Sequence, residues 1–187
     1  MKKIFICEII YKQQHIMKRK VYIISILLIM IQCSMTSSED YVSEISFSTK
    51  EIKKILQEEE FSWNKGDAMT YSLHFAQDGM FTNILGQYFV GHTQFFKRHE
   101  EIFKGVFKGS RMSQNIVSLK FINRDVVVVE MLIQISELSR NFPFKGVYID
   151  EKGVLKTRLL QIFRKEKNEW KIVAYHNVDI KDGIKVS

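Results

Sequence analysis

Hydrophobic residues recur at helical spacing over residues 48–75. Ser48 and Glu51 have the spacing of a capping box, in which each side chain bonds a free backbone N–H at the start of a helix. Gly66 is typical of a helix end, and Asp67 can cap a second helix over Ala68–Phe75. The apolar positions that share one side of the first helix are Ile52, Ile55, Leu56 and Trp63. The pattern predicts a helical hairpin.

Helical periodicity returns between Gly91 and Gly105, after two short predicted strands, Met80–Leu85 and Gln87–Val90. At 100° per residue, one apolar stripe of this third helix contains Phe95, Phe96, Ile102, Phe103 and Val106. His99 falls in the middle of that stripe. A buried imidazole without a hydrogen-bond partner costs about 1–3 kcal/mol, so we expect a partner nearby, and Asn83 is the candidate.

From Met112 onward the period of the pattern changes to two, which is typical of strands. The predicted strands are Ile116–Ile122, Val126–Ser136, Val154–Lys165 and Trp170–Val178. Short turns join the first to the second and the third to the fourth, so these neighbours are antiparallel. A longer connection, Glu137–Lys152, contains Pro143 and three aromatic residues. This composition predicts a loop that forms a lid over a site or the rim of a site. This order predicts an α+β fold with helices on one face of a curved sheet.

The N-terminal residues have the pattern of a secretory signal. Lys18, Arg19 and Lys20 precede the apolar run Val21–Ile31, and small polar residues follow. Eleven residues rise only about 16 Å as a helix, too short for a permanent span, so we expect export to the periplasm or the outside of the cell. An uncleaved anchor and lipidation at Cys33 are the alternatives. We divide the chain into an N-terminal extension with the signal or anchor (1–38), a linker (39–50), one folded domain (51–180) and a tail (181–187).

Charge and cysteine content narrow the function classes. The net charge is +7, but residues 1–33 contain six cations and one acid, so the rest of the chain is close to neutral. A near-neutral domain lacks the basic surface that nucleic-acid binding requires. Both cysteines, Cys7 and Cys33, lie in the N-terminal extension, which excludes a thiolate nucleophile or a cysteine-bound metal in the domain. Contact with a membrane is expected only through the N-terminal segment.

Several stretches resemble the SgcJ/EcaC family of SnoaL-like proteins, within the nuclear transport factor 2-like superfamily. They are FTNILGQYFVGH (81–92), RHEEIFKGVFKGSR (98–111), GVLKTRLLQIFRK (153–165) and EWKIVAYHN (169–177). The resemblance implies a cone in which three helices pack in a strongly curved, mainly antiparallel sheet, an apolar cavity, and a homodimer formed through the outer sheet face. It also implies that Asn83, His99, Arg158 and Asn177 point toward or surround that cavity. Superfamily members include enzymes and binding proteins, so the resemblance predicts a fold more specifically than an activity.

The candidate site residues each have two interpretations. His99 is a catalytic acid or base, or a core histidine satisfied by Asn83. Arg158 or Asn83 stabilises an oxyanion in the cavity. Alternatively, Arg158 lies outside with Lys156 and Arg164, where it crosses the sheet or a dimer interface, and it can pair with Glu130. Six aromatic residues are candidates for ligand binding but are equally typical of a core: Trp63, Tyr71, Phe75, Phe81, Phe95 and Phe103. Asn177 is a further ligand-binding candidate. His176 and Asn177 point to opposite faces of their strand.

The sequence contains no Gly-rich phosphate loop, no HExxH motif and no nucleophile elbow, so we expect neither a cofactor nor a metal. The predicted function is binding of a small apolar or ketone-like molecule by an exported protein. One alternative is acid–base isomerisation, dehydration or cyclisation of a ketone-like substrate. The other is a dimeric interaction module without a ligand, its cavity filled by side chains.

Overall fold

The computed structural model describes residue 19 and residues 39–138 and 146–184. The predicted signal segment with Cys7 and Cys33, and the aromatic part of the long loop around Pro143, therefore lie outside the described residues. The chain divides by its contacts into two units, Met1–Ser48 and Thr49–Ser187. All site residues discussed below belong to the second unit.

Three helices occur within residues 39–138 and 146–184, and two of them differ from the prediction. Helix α1 covers residues 39–65, so residues 39–50 are helical rather than a linker, because no Gly or Pro interrupts residues 39–65 and Ser48 does not start the helix. Helix α2 is Ala68–Tyr71, capped by Asp67, whose side chain accepts from the backbone N–H of Thr70. It ends before Phe75, which opens a strand. Helix α3 is His92–Lys104, between the two glycines that predicted it.

The six strands of the described residues follow the predicted order. They are β1 (Phe75–Thr82), β2 (Tyr88–Val90), β3 (Arg111–Asn123), β4 (Val126–Ser136), β5 (Leu155–Glu166) and β6 (Glu169–Asp179). Three of them, β1, β3 and β6, are longer than predicted. The strands form one sheet in the order β2-β1-β6-β5-β4-β3. The pair β1–β6 is parallel and the other neighbours are antiparallel. This curved, unclosed sheet confirms the predicted α+β class.

The two faces of the sheet differ in burial, because side chains of a strand alternate. In β5, Thr157, Leu159 and Gln161 are buried on the inner face, whereas Arg158 and Leu160 lie on the outer face. Helix α1 packs on the inner face of β5, where Glu59 contacts Gln161. Trp63 of α1 also packs edge-on against Phe103 of α3, with ring centroids 5.1 Å apart. Among the described residues, no helix is long and apolar enough to cross a membrane.

Candidate functional site

His99 is buried in the apolar face of α3, as the periodicity predicted. Its exposed fraction is 2%, and Phe95, Ile102 and Phe103 are buried on the same side of the helix. His99 Nδ1 lies 2.8 Å from the carbonyl oxygen of Phe95, one turn earlier. A carbonyl only accepts, so Nδ1 carries the proton and Nε2 keeps a lone pair. Burial lowers the pKa of His99 to about 4, so the ring is neutral at pH 7.

Asn83 does not pair with His99, and the predicted hydrogen bond between them is wrong. The Oδ1 of Asn83 accepts from the backbone N–H groups of Leu85 and Gln87 at 3.0 Å, and its Nδ2 donates to Gln87 Oε1 at 2.9 Å. Asparagine satisfies local backbone in this way at turns, and residues 83–87 connect β1 to β2. Asn83 therefore orders the turn.

Aromatic rings fill much of the interior around His99. Phe75 stacks on Phe95 with ring centroids 3.9 Å apart, and the centroids of Tyr71 and Phe81 lie 4.6 and 5.3 Å from that of His99. Packing of this density is that of a core, not of a ligand-sized hollow. Of the predicted ligand-binding aromatics, Trp63 and Phe81 line the cavity beside His99, whereas Tyr71, Phe75, Phe95 and Phe103 are not part of its wall.

A small cavity of ≈ 50 Å³ remains beside His99. Its walls come from α1, α3, the β1–β2 turn and the inner sheet face. The lining residues are Trp63, Phe81, Asn83, Ile84, Leu85, Arg98, His99, Ile102, Phe107, Ile135, Leu155, Thr157, Tyr175 and Asn177. Leu85 is 38% exposed, so this part of the wall meets solvent. Drug-sized ligands occupy about 300–1,000 Å³, so the cavity accommodates a small molecule or one end of a larger one.

Three of the residues that line this cavity each have a buried polar atom without a hydrogen-bond partner in the described part of the chain. These atoms are Arg98 Nε, Thr157 Oγ1 and Asn177 Oδ1. Buried polar groups are nearly always paired, because an unmade bond costs about 1–3 kcal/mol. The three residues line the same cavity, and the atoms themselves have almost no accessible surface. Asn177 faces inward while His176 is exposed, as strand alternation predicted.

Arg158 lies on the outer face of β5, so its predicted role in the cavity is wrong. Its Nη1 donates to Glu130 Oε1 at 2.8 Å, the cross-strand pair proposed as the alternative. Thr157 and Gln161 on the opposite face are fully buried. The sequence indicated this orientation, because strand alternation places Arg158 on the same face as Lys156 and Arg164, and charged side chains favour the outer face.

Glu59 and Arg98 are two buried or cavity-lining charged residues that no sequence motif indicated. Glu59 is 2% exposed, and Gln161 Nε2 donates to both of its carboxyl oxygens, at 3.1 and 3.0 Å. Burial raises the pKa of Glu59 to about 8, so its carboxyl is mostly neutral at pH 7. The signal was available, because Glu59 is four residues from both Ile55 and Trp63 and thus on the apolar side of α1.

A hydroxyl pair lies in the interior between Glu59 and His99. Tyr71 and Tyr175 have their hydroxyl oxygens 3.0 Å apart. Burial raises the pKa of both tyrosines, and the nearby Glu59 carboxyl contributes to the rise. Tyr175 also lines the cavity, so the hydroxyl pair connects the cavity wall with the deeper interior.

A wider groove of ≈ 770 Å³ lies elsewhere, between α1 and β3. Its central polar groups already bond each other: Asn64 exchanges two hydrogen bonds with the backbone of Met112, and Glu60 accepts from the N–H of Gln114. Groups that are satisfied in this way attach the helix to the edge strand. Within residues 39–138 and 146–184, no three His, Cys, Asp or Glu side chains are grouped closely enough to hold a metal.

Comparisons with known proteins show the fold and no more. No family model and no curated protein matches the chain. An NTF-2 like protein of unknown function from Shewanella oneidensis aligns over 71% of this chain and 99% of its own, with a TM-score of 0.56 and 18% identity. A domain with a cystatin-like fold from Nostoc punctiforme aligns over 71% and 76%, with a TM-score of 0.59 and 18% identity. A hexachlorocyclohexane dehydrochlorinase, LinA type 2, aligns over 77% and 95%, with a TM-score of 0.61 and 11% identity. The chain therefore has the nuclear transport factor 2-like fold.

Proposed function

We propose that this chain is a SnoaL-like protein of the SgcJ/EcaC type that binds a small molecule in the cavity beside His99. The observation that carries the proposal is that three residues lining one cavity, Arg98, Thr157 and Asn177, each have a buried polar atom without a partner among the described residues. A bound molecule, or ordered water that it displaces, would satisfy them. The small volume supports a compact ligand, or a larger one that inserts one end past Leu85.

Native mass spectrometry of protein purified without denaturation tests the proposal. We expect a retained small molecule on the wild type. Leu85→Trp would close the partly exposed wall and remove the retained mass, while Met69→Trp, at an exposed position outside the cavity, would keep it. If the wild type carries no added mass, and soaking with a library of small metabolites adds none, the proposal is wrong.

Acid–base catalysis at the same cavity is the second candidate function. It is supported by the free lone pair on His99 Nε2, and a dehydrochlorinase shares the fold. The lowered pKa of His99 makes the ring a weak base, which weighs against this candidate, since a general base works best with a pKa near the working pH. Deuterium incorporation into a retained ligand in D2O, lost in His99→Gln, would establish it. Absence of exchange in the wild type would leave binding alone.

A homodimer through the outer sheet face remains part of the proposal. Leu160 and Val178 are 37% and 52% exposed on this face, next to the Arg158–Glu130 pair. An interface would bury these apolar side chains. Sedimentation velocity should show a dimer that Leu160→Lys dissociates, whereas a wild-type monomer at all concentrations would contradict it.

Export is also proposed, on the charge and hydropathy pattern of residues 18–31 alone. Cell fractionation followed by N-terminal sequencing tests it. A shortened N-terminus in an exported fraction, or a lipid attached at Cys33, would support export, and an intact cytosolic chain would contradict it.

A further inference from the structure

The cavity beside His99 has a charge asymmetry that restricts its ligand. Among the described residues that line it, Arg98 is the only one with a formal charge, since His99 is neutral. No Asp or Glu is found among these described lining residues. On a helical wheel of α3 that sets Phe95 at 0°, Arg98 falls at about 300°, beside the apolar stripe. From this position its side chain lines the cavity.

The two ends of the Arg98 guanidinium have different environments. Nη1 donates to Glu101 Oε2 at 3.1 Å, and the Glu101 side chain is 67% exposed. Nε is buried and has no acceptor. A buried cationic N–H binds an anionic oxygen strongly, and an isolated buried one is costly. Arg98 therefore brings to the cavity wall a cationic side chain whose Nε–H has no acceptor among the described residues.

We infer that this cavity holds the carboxylate group of a small ligand, with Arg98 Nε as the donor that selects it. This inference rests on the proposed binding function, to which it adds the chemical class of the ligand. Two further groups suit a carboxylate. The Thr157 hydroxyl can donate, and rotation of the Asn177 amide presents Nδ2 in place of Oδ1.

The volume of the cavity limits the size of the group inside it. One water needs about 10–15 Å³ on this measure, so ≈ 50 Å³ holds roughly three to five non-hydrogen atoms. A carboxylate with one or two carbons has that size, and a longer chain would leave past Leu85. Inorganic phosphate is similar in size, but it carries more charge than one cationic donor neutralises, which favours the carboxylate.

Titration of the whole protein with matched small probes tests the inference. We would follow backbone amide NMR shifts with propionate, with its uncharged analogue propionamide, and with inorganic phosphate. We expect propionate to bind at least tenfold more tightly than either of the others. Arg98→Met should weaken propionate at least tenfold and leave propionamide unchanged, and Arg111→Met, an exposed arginine outside the cavity, should alter neither.

Failure of the inference is distinguishable from failure of the proposed function. Equal binding of propionate and propionamide, tighter binding of phosphate, or a retained molecule without an acidic group would overturn the carboxylate and leave small-molecule binding intact. If no probe binds and native mass spectrometry finds no retained molecule, both proposals fail. The propionate–propionamide contrast uses only the wild type, so it stays decisive even if Arg98→Met does not fold.

Discussion

His99 and Glu59 are both 2% exposed and both mostly uncharged at neutral pH, but the interior around them differs. His99 is satisfied within its own helix by the Phe95 carbonyl and lies on the wall of a cavity. Glu59 is bonded across layers to Gln161 of β5 and is not part of that wall. Burial of a titratable group is common to the two regions, whereas access to empty space belongs to one. We therefore treat His99 as a site residue and Glu59 as a structural one.

The two groups also give opposite pH dependence of stability. Because the folded pKa of His99 lies below its ordinary value, the unfolded chain takes up a proton first as pH falls, and stability is lost between about pH 6.5 and 4. Because the folded pKa of Glu59 lies above its ordinary value, the unfolded chain releases its proton first as pH rises. Stability is then lost between about pH 4.5 and 8.

The largest expected effect comes from Glu59→Gln, which keeps the shape of the side chain and removes its charge. Ionisation of buried Glu59 costs roughly 5 kcal/mol by pH 9 if the full shift of its pKa is realised. Urea unfolding at pH 5 and pH 9 should show that the variant loses less free energy of unfolding than the wild type. Glu151→Gln, at an exposed position, is the matched control. Parallel pH profiles for Glu59→Gln and the wild type would contradict the raised pKa.

His99→Gln should act at the other end of the pH range. The wild type is expected to lose on the order of 3 kcal/mol from this group between pH 6.5 and 4, and the variant should not show this loss. His176→Gln, on an exposed side chain, should keep the wild-type acid profile. Urea unfolding across this range measures the difference, and an unchanged acid limb in His99→Gln would mean that the imidazole is protonated in the folded state.

Tyr71→Phe removes the hydroxyl bond between the two regions. We expect a loss of about 1 kcal/mol in the free energy of unfolding, the usual net contribution of one hydrogen bond, with Tyr175 left without its partner. Thermal unfolding measures the change. A loss comparable to that of a large core deletion would show instead that the ring packing depends on the hydroxyl pair.

Arg158→Met should have the smallest effect on stability. It also tests whether the outer sheet face, unlike the inner one, is free of any role in ligand binding. Its ion pair with Glu130 is about one-third exposed, so we expect a change of no more than about 1 kcal/mol in stability. Retention of a small molecule should be unchanged, because Arg158 lies on the face opposite the cavity. If this variant lost the retained molecule, Arg158 would have a role in ligand binding after all.

Elements with strong local signals were predicted closely. Gly91 and Gly105 bracket α3, and β4 has its predicted bounds, Val126–Ser136. The start of α1 and the end of α2 were wrong. A capping box at Ser48 does not stop a helix that continues through it, and Phe75 joins β1 because the sheet offers it a partner in β6 and a stacked ring in Phe95. Tertiary contacts overrode local preference at both positions.

For this protein, residue order alone determined the succession of helices and strands, the alternation of faces along the strands and the burial of His99, because these follow from the periodicities of 3.6 and 2. Tertiary structure decided which polar groups meet. In the folded protein Asn83 bonds its own turn, Glu59 bonds Gln161, and Arg98, Thr157 and Asn177 all line one cavity. Periodicity assigns a side chain to a face, but a hydrogen bond requires two atoms within about 3 Å, and that distance is set by how layers pack.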